Sequence, residues 1–268
     1  MKIWISTITL FVSLSLTGCL SLPEQQPKAS TTNKQEISPF EKMLAKAKQG
    51  DASAQFKLGV KYEFGQGVAK DDKQAVYWFQ KAAVQGHAIA QYNLGVKYAK
   101  GEGIAKDDKQ AVYWYQKAAM QGDATAQNNL GFMYRKGEGV GKDVKQAVYW
   151  YQKAAMQGNA LAQNNLGAMY EYGQGVIEDN TRAVYWYQKA AQNGNKFAQK
   201  NLAYMLANGN GIKRSYRLSK MWQLLAQYNG ADTKDLSRWL NNKLSKNQLS
   251  KIPKLANQCL NSNYIQCQ

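Results

Sequence analysis

Histidine is all but missing from this chain: its 268 residues hold one, His87, along with three cysteines and 18 acidic side chains against 35 basic ones. Each scarcity closes off a class of chemistry. With one histidine and no Cys-x-x-Cys spacing, no cluster of metal-ligating side chains emerges, so neither a metal nor a cofactor is expected. A histidine-based triad would have to use His87, and no acid partner is suggested for it. No Ser-x-x-Lys occurs, which argues against penicillin-binding and serine β-lactamase chemistry. The Gly-x-Gly pairs beginning at Gly65, Gly101, Gly137, Gly173 and Gly209 lack the strand context of a phosphate loop and read as turns. No catalytic residue is nominated, and a hydrolase of peptidoglycan or β-lactams is the weakest functional reading.

The shortage of acid leaves a formal charge of +17. From Lys213 onward there are ten Lys or Arg against Asp232 and Asp235 alone. Such an end attracts anionic lipid, acidic polymer or nucleic acid, or it is a solvated, solubilising face. Hydrophobic residues make up 44% of the chain and aromatic ones 12%, enough for a packed core and against global disorder.

No long apolar run opens the chain either. Ile3 to Leu16, behind Met1 and Lys2, is too short to span a bilayer and reads as an export signal. It ends in Leu16-Thr17-Gly18-Cys19, which resembles the bacterial lipobox. The resemblance implies cleavage after residue 18 and diacylation of Cys19, and several acyl chains at about 0.8 kcal/mol per buried methylene make a lasting anchor. Leu20 after the cysteine matches the enterobacterial pattern for delivery to the outer membrane. Residues 19–38, with Pro23, Pro27 and Ser30-Thr31-Thr32-Asn33, have tether composition, with a reach of roughly 20–25 Å as a flexible coil. The two remaining cysteines, Cys259 and Cys267, read as one local disulfide in an exported chain.

The middle of the chain repeats itself every 36 residues. Ala54-Gln55, Ala90-Gln91, Ala126-Gln127 and Ala162-Gln163 open four copies, and Ala198-Gln199 opens an eroded fifth. A period of this length means stacked supersecondary units, each burying its apolar face against its neighbours. In the first copy Ala54, Leu58 and Tyr62 form one helical stripe. Gly65 ends that helix and Gly67-Val68 turns the chain. Asp71 caps a second helix, with Gln74 as its capping-box partner. Ala75, Trp78, Ala82 and Ala83 form the buried stripe, and Gly86 stops it. Gly59, Gly95, Gly131 and Gly167 lie inside the first helices, where glycine costs about 1 kcal/mol relative to alanine. Their repetition implies close helix approach, with Trp78, Trp114, Trp150 and Trp186 expected in the space of the missing side chains.

The pattern Ala-x-x-x-Leu-Gly-x-x-Tyr-x-x-Gly-x-Gly-Val, then Asp, Ala-x-x-Trp-Tyr-x-Lys-Ala-Ala and Gly resembles the Sel-one-like repeat, a 36-residue relative of the tetratricopeptide repeat. The match weakens in the fifth copy, where Ala203, Leu206, Ser215 and Ser219 replace the glycine, tyrosine, aspartate and alanine. The resemblance implies an all-α fold, a right-handed α-solenoid of stacked helical hairpins. Residues 39–232 would hold an opening helix, four full repeats and one degenerate repeat, with 233–268 as C-terminal capping helices. It also implies a protein-interaction scaffold, which the export signal and the lipobox resemblance would place in the bacterial cell envelope, anchored through Cys19 and facing the periplasm.

A solenoid binds through surfaces that repeat. Asn93, Asn129, Asn165 and Asn201 recur in the first helix, and their amides suit either an extended peptide backbone or an inter-repeat hydrogen bond. Tyr77, Tyr113, Tyr149 and Tyr185 recur in the second helix, about 100° off the core stripe. Lys81, Lys117, Lys153 and Lys189 follow on the same face. This ladder suits a protein or a sugar polymer, or is Lys stems laid over rings. The expected partners are a protein or peptide and the membrane, with no nucleic acid. Binding of cell-wall or acidic polysaccharide through the basic face is the alternative.

Overall fold

A computed structural model describes residues 38–264 and Cys267, and among these residues thirteen α-helices and no strand occur. An opening helix α1 (Pro39–Lys48) precedes five hairpins: α2 (Ala52–Phe64) with α3 (Asp72–Val84), α4 (Ala88–Lys100) with α5 (Asp108–Met120), α6 (Ala124–Lys136) with α7 (Val144–Met156), α8 (Ala160–Glu171) with α9 (Asn180–Gln192), and α10 (Lys196–Asn208) with α11 (Tyr216–Tyr228). Two helices, α12 (Lys234–Asn241) and α13 (Lys246–Asn261), pack on α11 and close the stack. The expected signal peptide, Cys19 and the tether as far as residue 37 lie outside the described residues.

Capping explains where each helix begins. Side chains of Asp51, His87, Asp123, Asn159 and Asn195 accept the exposed N–H groups of the first helices. The sole histidine is thus a cap, its Nδ1 accepting from the Ala90 N–H at 3.3 Å. Asp71, Asp107, Asp143, Asp179 and Ser215 do the same for the second helices. The expected capping box at Asp71 and Gln74 is only half made. The Asp71 carboxylate accepts from the Gln74 N–H, but the Asp71 N–H is already taken by the Tyr62 carbonyl at 2.9 Å. The same bond runs from Asp107 to Tyr98 and from Asp143 to Tyr134. It ties each second helix to the end of the first, so the reciprocal glutamine contact has no donor left to satisfy.

The helical glycines do mark close approach, but the tryptophans are not what fills the space. A Cβ on Gly131 would stand 2.8 Å from a ring carbon of Tyr151, the residue after Trp150. Phe79, Tyr115 and Tyr187 occupy the same place over Gly59, Gly95 and Gly167. The tryptophans reach toward the neighbouring repeat. Trp114 packs with the α3 and α4 core, and Trp150 against the α5 and α6 core. One helical residue separates the two roles, and that 100° rotation sends the ring inward and the indole sideways.

Adjacent repeats are joined by buried amides. Gln127 Nε2 donates to the Ala119 carbonyl of the preceding second helix at 3.0 Å, and its Oε1 accepts from Gln157 Nε2 at 2.8 Å. Gln91 bonds Ala83 and accepts from Gln121, and Gln163 bonds Ala155 and accepts from Asn193. Gln199 continues the relay to Ala191 and Asn229. Each of these four glutamines is at most 4% exposed. Asn229 also donates to the Tyr264 hydroxyl at 2.8 Å. Tyr264 sits in the loop closed by the Cys259–Cys267 disulfide, both cysteines being buried in the terminal core.

The second glycine of each later Gly-x-Gly turn docks on the previous repeat. A Cβ on Gly139 (φ +69°) would lie 2.1 Å from the Asp108 carbonyl oxygen, whereas Gly67 (φ +76°), with no repeat before it, has open space. Gly139→Ala is therefore expected to cost about 2–4 kcal/mol and Gly67→Ala only about 1 kcal/mol, the shared left-handed backbone accounting for the smaller figure. Urea unfolding of the two variants side by side checks this, and equal losses would refute the docking role.

Candidate binding surfaces

The tyrosine ladder is half-exposed and already partnered. Tyr77, Tyr113 and Tyr149 are each 48% exposed and Tyr185 51%. Each ring meets the following tryptophan edge-on at 4.9–5.0 Å. Lys81, Lys117, Lys153 and Lys189 hold their ammonium groups 5.5–5.7 Å from the ring centroids. One face of each ring is thus covered by its own lysine, an exposed cation–π pair of about 0.5–1 kcal/mol.

The asparagine ladder divides. Asn165 Nδ2 donates to Asn128 Oδ1 at 3.0 Å, and Asn201 Nδ2 to Asn164 Oδ1 at 3.2 Å. These two amides join neighbouring first helices. Asn129 Oδ1 accepts from its neighbour Asn128 Nδ2 at 3.3 Å, and its side chain lies within hydrogen-bonding reach of the phenols of Tyr92 and Tyr115, the pKa of the latter pushed up to about 12 chiefly by burial. At the matching places around Asn93 stand Phe56 and Phe79, which have no hydroxyl to offer.

Asn129 also lines a cavity of about 340 Å³ between α4 and α6. Its apolar lining comes from Val96, Ala99, Met133 and Phe132, the last 37% exposed. Its charged lining comes from Lys100, Lys106, Asp108 and Glu138. An apolar floor with one amide, two phenols and charges of both signs suits a side chain and the adjoining backbone of a peptide. Among the described residues no group of three or more His, Cys, Asp or Glu could hold a metal ion, and no helix is long and apolar enough to cross a membrane.

One charged cluster was not expected from the sequence. Lys97, its side chain 2% exposed, reaches Glu63 at 2.9 Å, Asp72 at 3.0 Å and Glu102 at 3.1 Å. Burial alone would lower its pKa, but the hydrogen bonds it donates to the three carboxylates prevail and raise it. The same hydrogen bonds hold Asp72 and Glu102 below the usual carboxylate range. In later repeats Met133, Met169 and Met205 fill this slot. A lysine where three later repeats carry methionine, with Glu102 five residues on, is the signal that could have revealed it.

Carboxylates depressed in the folded state contribute stability above their unfolded pKa, near 4, and lose it as pH falls through the folded value. The chain should therefore weaken on acidification below about pH 4. In Lys97→Met the three acids crowd without a cation, so their protonation should relieve repulsion and acidification should cost less. Thermal unfolding from pH 7 to pH 3 tests this, and parallel pH profiles for the two proteins would contradict it.

Comparison with known proteins matches the Sel1 repeat model to residues 52–87, 88–123, 124–159, 160–195 and 196–229. The structure is similar to that of c5321, described as a protective antigen present in uropathogenic Escherichia coli strains and displaying an SLR fold. The two share 41% identity with a TM-score of 0.69 over 72% of this chain, which spans only 41% of that protein's length. A Sel1 repeat protein from Oxalobacter formigenes is 38% identical with a TM-score of 0.66, covering 72% of this chain and 74% of that one. No curated protein matches the chain.

Proposed function

This chain belongs to the Sel1 repeat family, and from that premise we propose that it is an exported, lipid-anchored scaffold that holds a protein or peptide partner on its first-helix face. The observation that carries the reading is the cavity between α4 and α6. There Phe132 and Val96 offer apolar surface beside the Asn129 amide and the Tyr92 and Tyr115 phenols. None of the residues lining it forms a catalytic constellation, and the chemistry on offer is recognition. The ladder tyrosines Tyr77, Tyr113, Tyr149 and Tyr185 do not line this cavity.

The envelope location rests on two separate features. The Leu16-Thr17-Gly18-Cys19 segment supports acylation of Cys19, and Leu20 after it supports delivery to the outer membrane, with the solenoid in the periplasm. The Cys259–Cys267 disulfide suits an oxidising compartment. Anchoring is tested by fractionating cells that express the chain or Cys19→Ser. The variant should leave the membrane fraction, and its retention there would sink the anchor.

The binding face is tested by affinity capture from native envelopes with the chain and with Phe132→Glu. This substitution places a charge on a half-exposed ring position and leaves the core intact. A partner recovered with the chain and lost with the variant supports the face. Equal recovery with both would move the site elsewhere.

A further inference from the structure

Successive repeats carry different charges at their turn edges, and the difference is not one the fold requires. At the edge shared by the first two repeats, Asp72 pairs with Lys70 at 3.6 Å and helps to hold Lys97. At the next edge Asp108 pairs with Lys106 at 3.4 Å. One repeat further on, Lys142 stands in the place of those lysines, but the aspartate's place is taken by Val144. Arg135 stands where the first repeat has Glu63, and Gln174 where the second has Glu102. Three acids have thus been replaced by a cation, an apolar residue and an amide at matching positions.

The replacements surround a cleft of about 480 Å³, lined by Arg135, Lys136, Lys142, Val144 and the turn from Gly173 to Gly175. Among the described residues none of the three cations is paired with a carboxylate. Arg135 lies beside the Tyr151 hydroxyl. Its Nε and that hydroxyl are both buried beside each other. An incoming anion would meet three cations that no carboxylate neutralises.

Two of these cations also lie close to a residue of the neighbouring cavity. Arg135 and Lys136 lie 5.7 and 5.9 Å from the centroid of the Phe132 ring, which lines the space between α4 and α6. Helix α6 therefore carries an apolar socket and a cationic cleft in adjoining positions. We infer that the cleft takes a side-chain carboxylate of a peptide whose neighbouring apolar residue lies on Phe132, so that the partner segment is both acidic and apolar. This rests on the peptide-binding reading above and adds the charge of the partner to it. A free phosphate ion would use the cations but has no use for the apolar surface beside them, which favours a peptide.

The test is fluorescence anisotropy of the purified full chain with a short labelled peptide of alternating glutamate and leucine or phenylalanine, and with its glutamine-for-glutamate analogue. The acidic peptide should bind saturably, and the analogue about tenfold or more weakly. Val144→Asp restores the acid that the first two repeats carry, so it should pair with Lys142, fold normally and weaken the acidic peptide by a similar factor. Arg135→Met should do the same, with melting curves confirming that both variants are folded. Equal binding of the two peptides, abolished by Phe132→Glu, would leave the peptide reading standing and overturn the carboxylate assignment. Binding of neither peptide would overturn both. Saturable, Val144→Asp-sensitive binding of pyrophosphate without binding of the acidic peptide would assign the cleft to free phosphate and overturn the inference.

Discussion

Every repeat in this protein meets the next across a buried amide that bonds in two directions. The glutamine after each opening alanine donates to a carbonyl at the end of the preceding second helix and accepts from an amide that ends its own second helix. Burying an amide costs free energy unless its polar atoms are partnered, and the partners here exist only when three helices are stacked in one register. Hydrophobic contact alone would tolerate sliding between helices whose apolar stripes are largely alanine, leucine and tyrosine. The amide does not tolerate it. Helix caps, glycine contacts and the terminal disulfide loop all refer back to that register, and Tyr264 ends the relay by accepting from Asn229.

The frame of the fold could be read from the residues because it rests on local chemistry repeated five times. Asp71 and its counterparts announce helix starts, the Gly-x-Gly turns announce helix ends, and the 36-residue period implies stacking. Relations across repeats were harder to read. The space over Gly131 was expected to hold Trp150, but Tyr151 fills it. The fifth copy contains the clue: where glycine becomes Ala203, the ring position becomes Gln223, while Trp222 is unchanged. The ring and the glycine change together, so they are the pair in contact. The loss of both in the last repeat follows from packing geometry, and Ser219 uses its hydroxyl to bond the Ala203 carbonyl at 2.7 Å.

The candidate site was legible only in outline. The period drew attention to Asn129, but equally to Asn165 and Asn201, whose amides are engaged between helices. What separates them is their neighbour one repeat earlier: Tyr92 in one case, Asn128 and Asn164 in the others. The proposed binding features of this solenoid lie in the departures from the repeat. The core positions keep the stack in register, and the edge positions, such as Lys97 with its acids and Arg135 without them, vary freely above it. Lys97 and Arg135 are both consequences of that freedom, one held by three carboxylates and the other without a carboxylate partner.

The account stands or falls on the amide relay. Gln127→Met keeps the volume and removes both hydrogen bonds, leaving the Ala119 carbonyl with the Gly122 N–H alone and the exposed Gln157 amide with water. Equilibrium urea unfolding followed by circular dichroism should show a loss of about 1–3 kcal/mol. It should also show a shallower transition, because the repeats on either side would no longer unfold together. A Gln127→Met protein with unchanged midpoint and slope would contradict the claim that the amides hold the repeats in register.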